Sequence, residues 1–187
     1  MEPIDAFDRA AAAATTVVNG IADDQLTLPT PCADWNVRAV LNHLVIGSLM
    51  VEAIVAGRAH PDRGADHLGA DPKAAFAAAV AANRETLRTP GLMERTVSTP
   101  MGERPGSVLV YMRVAELFVH AWDLARATGQ DTNLDPELAE VVRSAWTTQL
   151  GDRPRTQLPF EESQPVPDDA AAADRLAAYL GRSVAVA

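Results

Sequence analysis

The sequence predicts an all-α fold, and both its composition and its residue spacing point that way. Of the 187 residues, 48% are hydrophobic but only 5% are aromatic, so the core must be aliphatic and rich in alanine, the best helix former. Several stretches also carry apolar residues at helical spacing between proline, glycine and capping residues. The length fits one core, and we therefore predict a single domain over residues 1–187.

Six helices are predicted, and the residues at their ends set the boundaries. The second helix begins near Asp34 or Asn36, both good N-cap residues. Asp71 caps the third, which has Pro72 at the favoured first position. The fourth ends near Gly129, in the usual place for a C-terminal glycine. The predicted helices cover residues 4–22, 34–57, 72–88, 108–128, 136–150 and 168–181.

Two segments between these helices are predicted to be non-helical. Residues 90–107 contain several prolines and glycines around a short β-like piece, which indicates a hairpin or a lid. Residues 152–167 form a proline-rich connector to the last helix. We expect this connector to lie on the surface of the bundle rather than to separate two domains.

Charge and cysteine content exclude several classes of function. The formal net charge is −9, which argues against nucleic acid or anionic lipid as a partner. Cys32 is the only cysteine, so no intrachain disulfide can form. The N-terminus is acidic where a secretory signal would be basic, and no run of about 18 uninterrupted apolar residues predicts a membrane span. We expect a soluble cytoplasmic protein.

The fourth predicted helix carries the strongest candidate for chemistry. Glu116 and His120 lie four residues apart in an apolar run, so they share one helix face. Imidazole and carboxylate are good ligands for a divalent metal, and His43 on the second helix is the obvious third ligand. Gly47, one turn after His43, would leave space beside the imidazole. The alternative is a packed histidine and a solvated glutamate, and the spacing alone leaves both interpretations open.

Four neighbouring residues allow two interpretations each. Asp123 could accept a hydrogen bond from a ligand imidazole, or it could form a salt bridge with Arg126 or Arg113. Arg113 could reach an anionic substrate, although a surface position is the simpler expectation. Cys32 could be a ligand or redox group, or a small buried apolar residue. Trp35 is expected to belong to the core rather than to a substrate platform.

Two segments, TPCADWNVRAVLNHL at 30–44 and RVAELFVHAWDLARATG at 113–129, resemble the signature stretches of the DinB/YfiT-like metalloenzyme superfamily. They are most similar to the branch that includes the N-terminal domain of mycothiol-dependent maleylpyruvate isomerase. The tail PVPDDAAAADRLAAYLGR resembles the ending of short, stand-alone actinobacterial members. The resemblance covers nearly the whole chain.

The resemblance implies a DinB-like four-helix bundle with additional C-terminal helices and a metal near one end. Carried over residue by residue, the ligands fall on His43, Glu116 and His120, with Asp123 and Arg113 as second-shell candidates. Such a set leaves a coordination position open, as in catalytic zinc sites, and Fe(II) or Ni(II) also suits it. Zinc is the first choice because the implied chemistry, thiol activation, needs a Lewis acid and no redox change.

The function that the resemblance implies is a metal-dependent thiol transferase or isomerase. A low-molecular-weight thiol, mycothiol or a similar one, would be activated at the open position and attack a small electrophile. Two alternatives remain: a metal-dependent hydrolase in which water replaces the thiol, and a non-catalytic binding or sensing module with Cys32 as a fourth ligand. The residues after Pro159 are too few for the extra C-terminal domain of the longer isomerases. A homodimer is compatible with the sequence.

Overall fold

Four long helices pack as a bundle in the computed structural model, which describes residues 1–32, 34–100, 102–150, 155 and 161–184. In the bundle the first helix packs against the fourth and the second against the third, and the second also contacts the fourth. The all-α prediction is confirmed. The helices are α1 Pro3–Gly20, α2 Val37–Ala56, α3 Pro72–Leu87, α4 Gly106–Thr128, α5 Pro136–Leu150 and α6 Ala172–Tyr179, with a short 3-10 helix at Asp23–Thr27.

The helix ends follow the capping residues that the sequence predicted. The Asn36 side chain accepts a hydrogen bond from the Ala39 N–H at 2.9 Å, and Asp71 caps α3 in the same way through Ala74. Gly129 ends α4 with a left-handed φ of 70°, a conformation that glycine adopts without strain. Only the last helix differs clearly, because it is shorter at both ends than the predicted 168–181.

Small side chains let α1 and α4 approach closely. Ala6, Ala10 and Ala14 of α1 are fully buried. On α4, Phe118 and Trp122 are also buried and fill the remaining core volume. The core is therefore aliphatic and alanine-rich, as the composition predicted, with few aromatic side chains.

A hairpin connects α3 to α4. Strands β1 Thr96–Thr99 and β2 Gly102–Pro105 pair antiparallel, and the Thr99 hydroxyl donates to the Gly102 carbonyl at 2.7 Å. The prediction of a hairpin in residues 90–107 is thus confirmed. Its loop reaches the cavity beside α2, since Thr99 and Pro100 line the same cavity as His43.

The two C-terminal helices pack on each other and against the outside of the bundle. Leu138 and Val142 of α5 are buried, whereas Ala145 is exposed. The Trp122 indole N–H donates to Asp174 of α6 at 2.7 Å and so ties α6 to α4. Half of the predicted connector, residues 152–154 and 156–160, lies outside the described residues.

Helix α2 is long and apolar enough to cross a membrane by length and composition, the one such helix among the described residues. However, 56% of the residues in that window are buried inside the protein. Val40, Leu41 and Leu44 lie fully in the bundle core. This burial is the pattern of a central core helix.

Candidate metal centre

The three side chains predicted as metal ligands meet where α2 packs against α4. Helix α2 positions His43, and α4 positions Glu116 and His120 one turn apart. The Nε2 atoms of His43 and His120 lie 2.7 and 3.7 Å from the same Glu116 oxygen, Oε2. One ligand atom from each of the three residues lies within 4.8 Å of the other two. Helical spacing therefore brings together the pair on α4, and packing of α2 on α4 adds His43.

The geometry of this trio fits a divalent cation. A tetrahedral ion with nitrogen and oxygen ligands at about 2.0–2.1 Å requires ligand atoms roughly 3.3 Å apart. The observed separations of 2.7 and 3.7 Å lie on either side of that value, so small side-chain movements would reach it. Two imidazoles and one carboxylate are a donor set that zinc, iron and nickel all accept.

The Glu116 carboxylate is ionised at neutral pH, as a metal ligand must be. Burial alone would raise the pKa of Glu116, but the hydrogen bond with His43 and the electrostatic interactions with His120, His43 and Arg113 lower it to about 2. Nearly half of the side chain, 47%, is nevertheless exposed, where it meets the adjoining cavity. The carboxylate is thus both charged and accessible to a ligand.

Asp123 forms a hydrogen bond with His120 Nδ1, the ring nitrogen that does not face Glu116. The Asp123 Oδ2 atom is 2.9 Å from His120 Nδ1, and the carboxylate is fully buried. Burial acts to raise the pKa of Asp123, but the hydrogen bond to His120 and the charge of Arg182 together lower it. An ionised Asp123 accepts the Nδ1 proton, which leaves the Nε2 lone pair free to bind a metal.

The arginine that pairs with Asp123 is Arg182, whereas the sequence suggested Arg126 or Arg113. Arg182 donates from Nε and Nη2 to the two Asp123 oxygens at 3.2 and 3.1 Å. It follows Gly181, whose φ of 92° turns the chain back toward the bundle after α6. The side chains of Arg182, Asp123 and His120 are therefore joined by hydrogen bonds, with Asp123 in the middle.

The Trp35 ring packs on the two imidazoles, which corrects the expectation that it belongs only to the core. Its centroid is 4.6 Å from that of His43 and 5.9 Å from that of His120. The ring is half-buried and also lines the cavity. Its indole therefore shields one side of the ligand cluster from water.

Cys32 lies on the Asp123 side of His120. Its Sγ is within 4.8 Å of a His120 ring nitrogen and an Asp123 oxygen, and Cys32 is not part of the cluster that His43 and Glu116 form with His120. Burial raises the pKa of the Cys32 thiol, and the negative charges of Asp123 and Glu116 raise it further. The thiol therefore stays protonated at neutral pH in the metal-free protein. Its position outside the cluster of His43, Glu116 and His120 disfavours it as a fourth ligand.

Replacing Cys32 by serine is expected to leave metal content unchanged. Since the thiol groups with His120 and Asp123 but not with His43 or Glu116, Cys32→Ser should retain the wild-type amount of metal per chain and its affinity within about threefold. Elemental analysis and competition with a chromophoric chelator measure both. A loss of bound metal would instead make Cys32 a ligand and favour a closed site.

Arg113 is buried beside the cavity, which contradicts the expected surface position. It is only 2% exposed, and its Nη2 donates to the Leu44 carbonyl at 2.7 Å and to Ser48 Oγ at 2.8 Å. Its Nε donates to Asn83 Oδ1 at 3.3 Å. Burial lowers the pKa of Arg113 to about 10, against the opposing effect of Glu116, so the guanidinium remains charged at neutral pH.

Gly47 makes room for that guanidinium, whereas the sequence suggested that it leaves space beside His43. A Cβ atom added at Gly47 would lie 2.6 Å from Arg113 Nη1.

Gly47→Ala is therefore expected to destabilise the fold by about 1–3 kcal/mol, the usual cost of overpacking. Urea unfolding of the metal-free protein measures it, with Gly64→Ala as control because the nearest atom there is 3.4 Å away. The double variant Gly47→Ala/Arg113→Met should lose less stability than the two single changes added together, and strict additivity would contradict the proposed contact.

A cavity of about 730 Å³ opens beside the ligand cluster between α2 and α4. His43 and Glu116 lie on its wall, together with Trp35. Its volume falls in the range of small-molecule binding sites. A ligand in this cavity would contact two of the three candidate metal ligands directly.

Comparison with known proteins gives matches at two levels. The model of the family described as mycothiol maleylpyruvate isomerase N-terminal domain matches residues 7–125, which include all three candidate ligands. Uncharacterized proteins MT0763 and Rv0738 of Mycobacterium tuberculosis, strains CDC 1551 and H37Rv, are each 39% identical over 185 residues, covering 98% of this chain and 100% of theirs.

Solved structures extend the match to the fold. The crystal structure of the mycothiol-dependent maleylpyruvate isomerase superposes with a TM-score of 0.62 at 16% identity, covering 79% of this chain and 71% of that one. The crystal structure of a histidine-to-alanine mutant of the same enzyme superposes with a TM-score of 0.63. The DinB-like bundle that the sequence predicted is thus confirmed.

Proposed function

Because the chain belongs to the family of the mycothiol maleylpyruvate isomerase N-terminal domain, we propose that it is a metal-dependent enzyme that adds a mycothiol-type thiol to a small electrophile, or isomerises that electrophile through the adduct. The observation that carries the proposal is the cluster in which one Glu116 oxygen lies between two imidazoles at a cavity wall. The thiol is taken from the name of the related isomerase.

In the proposed enzyme, His43, Glu116 and His120 hold the divalent cation. Zinc is the first choice, and iron or nickel suits the same ligands. When bound, the cation supplies Lewis acidity that lowers the pKa of a coordinated thiol, so that the thiol reacts as a thiolate at neutral pH. Asp123 holds the Nδ1 proton of His120, which keeps Nε2 available as a ligand atom.

The cavity between α2 and α4 would hold the electrophile. Trp35 excludes water from one side of the ligand cluster, since its ring covers both imidazoles. The thiol sulfur forms a bond to the electrophilic carbon, and the proton that the thiol gave up returns to the neighbouring carbon. For an isomerisation, rotation takes place about the carbon–carbon bond that has become single. The sulfur then leaves one carbon and a proton leaves its neighbour, which restores the double bond and regenerates the thiol.

Thiol chemistry is favoured over hydrolysis by the residues around the cavity. A metal-dependent hydrolase needs a general base near its water, often a carboxylate. Among the described residues that line the cavity, Glu116 is the one carboxylate, and the proposal uses it as a ligand. Asp123 is occupied by His120 and Arg182. We therefore rank the hydrolase second.

We also propose that the thiol enzyme acts in the cytoplasm, where the free Cys32 thiol would stay reduced.

The proposal is tested with full-length protein purified without chelator. Metal content is measured first, and consumption of maleylpyruvate and of a panel of unsaturated carbonyl compounds is then followed with and without mycothiol. We expect turnover that requires both metal and thiol and that Glu116→Gln reduces at least a hundredfold. Metal-loaded protein that consumes no compound of the panel in a thiol-dependent way would contradict the proposal, and thiol-independent ester cleavage would favour the hydrolase.

A further inference from the structure

The cavity beside the candidate metal centre extends well beyond it along two helices. Starting from His43, α2 contributes lining residues four, seven and eleven positions later, at Gly47, Met50 and Ile54. At a rise of 1.5 Å per residue, this face is about 16 Å long. Helix α4 contributes Met112 and Leu109, four and seven positions before Glu116. The two ligand-bearing helix faces thus continue as the opposite walls of one elongated cavity.

The polarity of the cavity changes along its length. The end at His43 also carries Asn42, whose amide donates to the Ala65 carbonyl and so holds the segment that contains Arg63 at this end. Farther along, the walls are apolar, and the buried side chains there are Met50, Val51 and Leu109. The cavity is therefore polar near the metal centre and apolar at its distal part.

Most of the polar groups that border the apolar part already have protein partners. Arg113 donates from Nε and Nη2 to Asn83, Leu44 and Ser48. Its Nη1, which faces Gly47, has no hydrogen-bond partner among the described residues. The Thr99 hydroxyl donates to the Gly102 carbonyl. A ligand in the distal part, between Met50, Ile54 and Leu109, would thus be recognised by apolar contact, because these side chains cannot replace the hydrogen bonds that a polar ligand makes to water.

We propose that the electrophile is an unsaturated carbonyl compound with an elongated apolar tail, an alkyl chain or an aryl group, which fills the distal part of the cavity. This inference rests on the proposed thiol transfer and names the substrate class for it. The reactive carbon lies at the His43 and Glu116 end, and the tail extends between Met50, Ile54 and Leu109. Mycothiol suits the polar end of the cavity, since the hydroxyl groups of its sugar would lose their hydrogen bonds to water against apolar walls.

A homologous series of substrates tests the inference in the active enzyme. Metal-loaded full-length protein is given mycothiol and trans-2-enals from four to ten carbons. In each reaction the sulfur bonds to the β-carbon, the π electron pair shifts toward the α-carbon, and that carbon takes the thiol proton. We expect kcat/KM to rise about fourfold per added methylene until the cavity is full. A flat series would overturn the inference while leaving the proposed thiol transfer in place.

A bulky side chain in the distal part of the cavity should remove the preference for longer substrates. Met50→Trp is expected to reduce the ratio of kcat/KM for 2-octenal to that for 2-butenal at least tenfold. Leu28→Trp, at an exposed leucine outside the cavity, is the matched control and should keep the wild-type ratio. Ile54→Trp gives the same test if Met50→Trp does not fold, as judged by circular dichroism.

A binding measurement separates the cavity from the catalysis. The neutral fluorophore N-phenyl-1-naphthylamine is titrated into metal-free protein without thiol. We expect one binding site from which 1-decanol displaces the dye far better than 1-butanol, and at least tenfold weaker dye binding in Met50→Trp than in Leu28→Trp. This result would uphold the tail site even if no enal were consumed, in which case only the proposed reaction would fail. Equal displacement by the two alcohols, or equal dye binding by the two variants, would overturn the inference.

Discussion

Replacing His120 by alanine is expected to abolish stoichiometric metal binding while leaving the helix content close to that of the wild type. His120 offers Nε2 to the cluster at 3.7 Å from Glu116 Oε2, and the variant would retain only His43 and Glu116 as ligands. Removing the hydrogen-bond partner of a metal-ligating side chain already weakens metal affinity by about 10- to 100-fold. We therefore expect loss of the ligand itself to weaken it by more than about 100-fold.

Elemental analysis gives the metal content per chain, and competition with a chromophoric chelator gives the affinity. Circular dichroism monitors the helices in the same samples. His60→Ala is the matched control, because His60 is exposed in the loop between α2 and α3. If His120→Ala unfolded with its metal content unchanged, His120 would be a packed core residue, and the proposed centre would be wrong.

The parts of the fold that follow from local chemistry could be predicted from the sequence. Asn36, Asp71 and Gly129 act within one turn of their own helix, so their roles do not depend on distant residues. The pairing of Glu116 with His120 follows from helical periodicity for the same reason. The approach of His43, 73 residues before Glu116, is a tertiary contact; the apolar run around His43 suggested it as the third ligand, and the family resemblance implied the same residue.

The residues that the sequence misplaced depend on contacts between distant segments. Arg113 was expected at the surface because a buried cation is costly, but the Leu44 carbonyl, Ser48 and Asn83 accept its hydrogen bonds and offset that cost. Gly47 leaves the space this arrangement needs, and no local pattern distinguishes it from any other helical glycine. Arg182 lies 59 residues beyond Asp123, and only the turn after α6 brings it back.

Replacing Asp123 by asparagine is expected to weaken metal affinity by about 10- to 100-fold, although Asp123 would not touch the metal. The ionised carboxylate accepts the Nδ1 proton of His120 and fixes the ring so that Nε2 faces Glu116. The neutral amide holds that proton less strongly. The variant also leaves Arg182, whose side chain is only 11% exposed, without its counter-charge, so stability should fall as well. Chelator competition measures the affinity, and urea unfolding of metal-free protein measures the stability.

A second substitution distinguishes positioning of His120 from simple stabilisation of the fold. In Asp123→Asn/Arg182→Met both charges are removed, so stability should recover toward that of the wild type, whereas metal affinity should stay low because His120 still lacks its ionised partner. Arg175→Ala is the control for the C-terminal helix, since Arg175 pairs with Glu140 on the outer side, away from the metal centre. Recovery of metal affinity together with stability would show that Asp123 serves only to balance the charge of Arg182. Low affinity in a stable double variant requires that the Asp123 charge acts on the centre through the His120 ring.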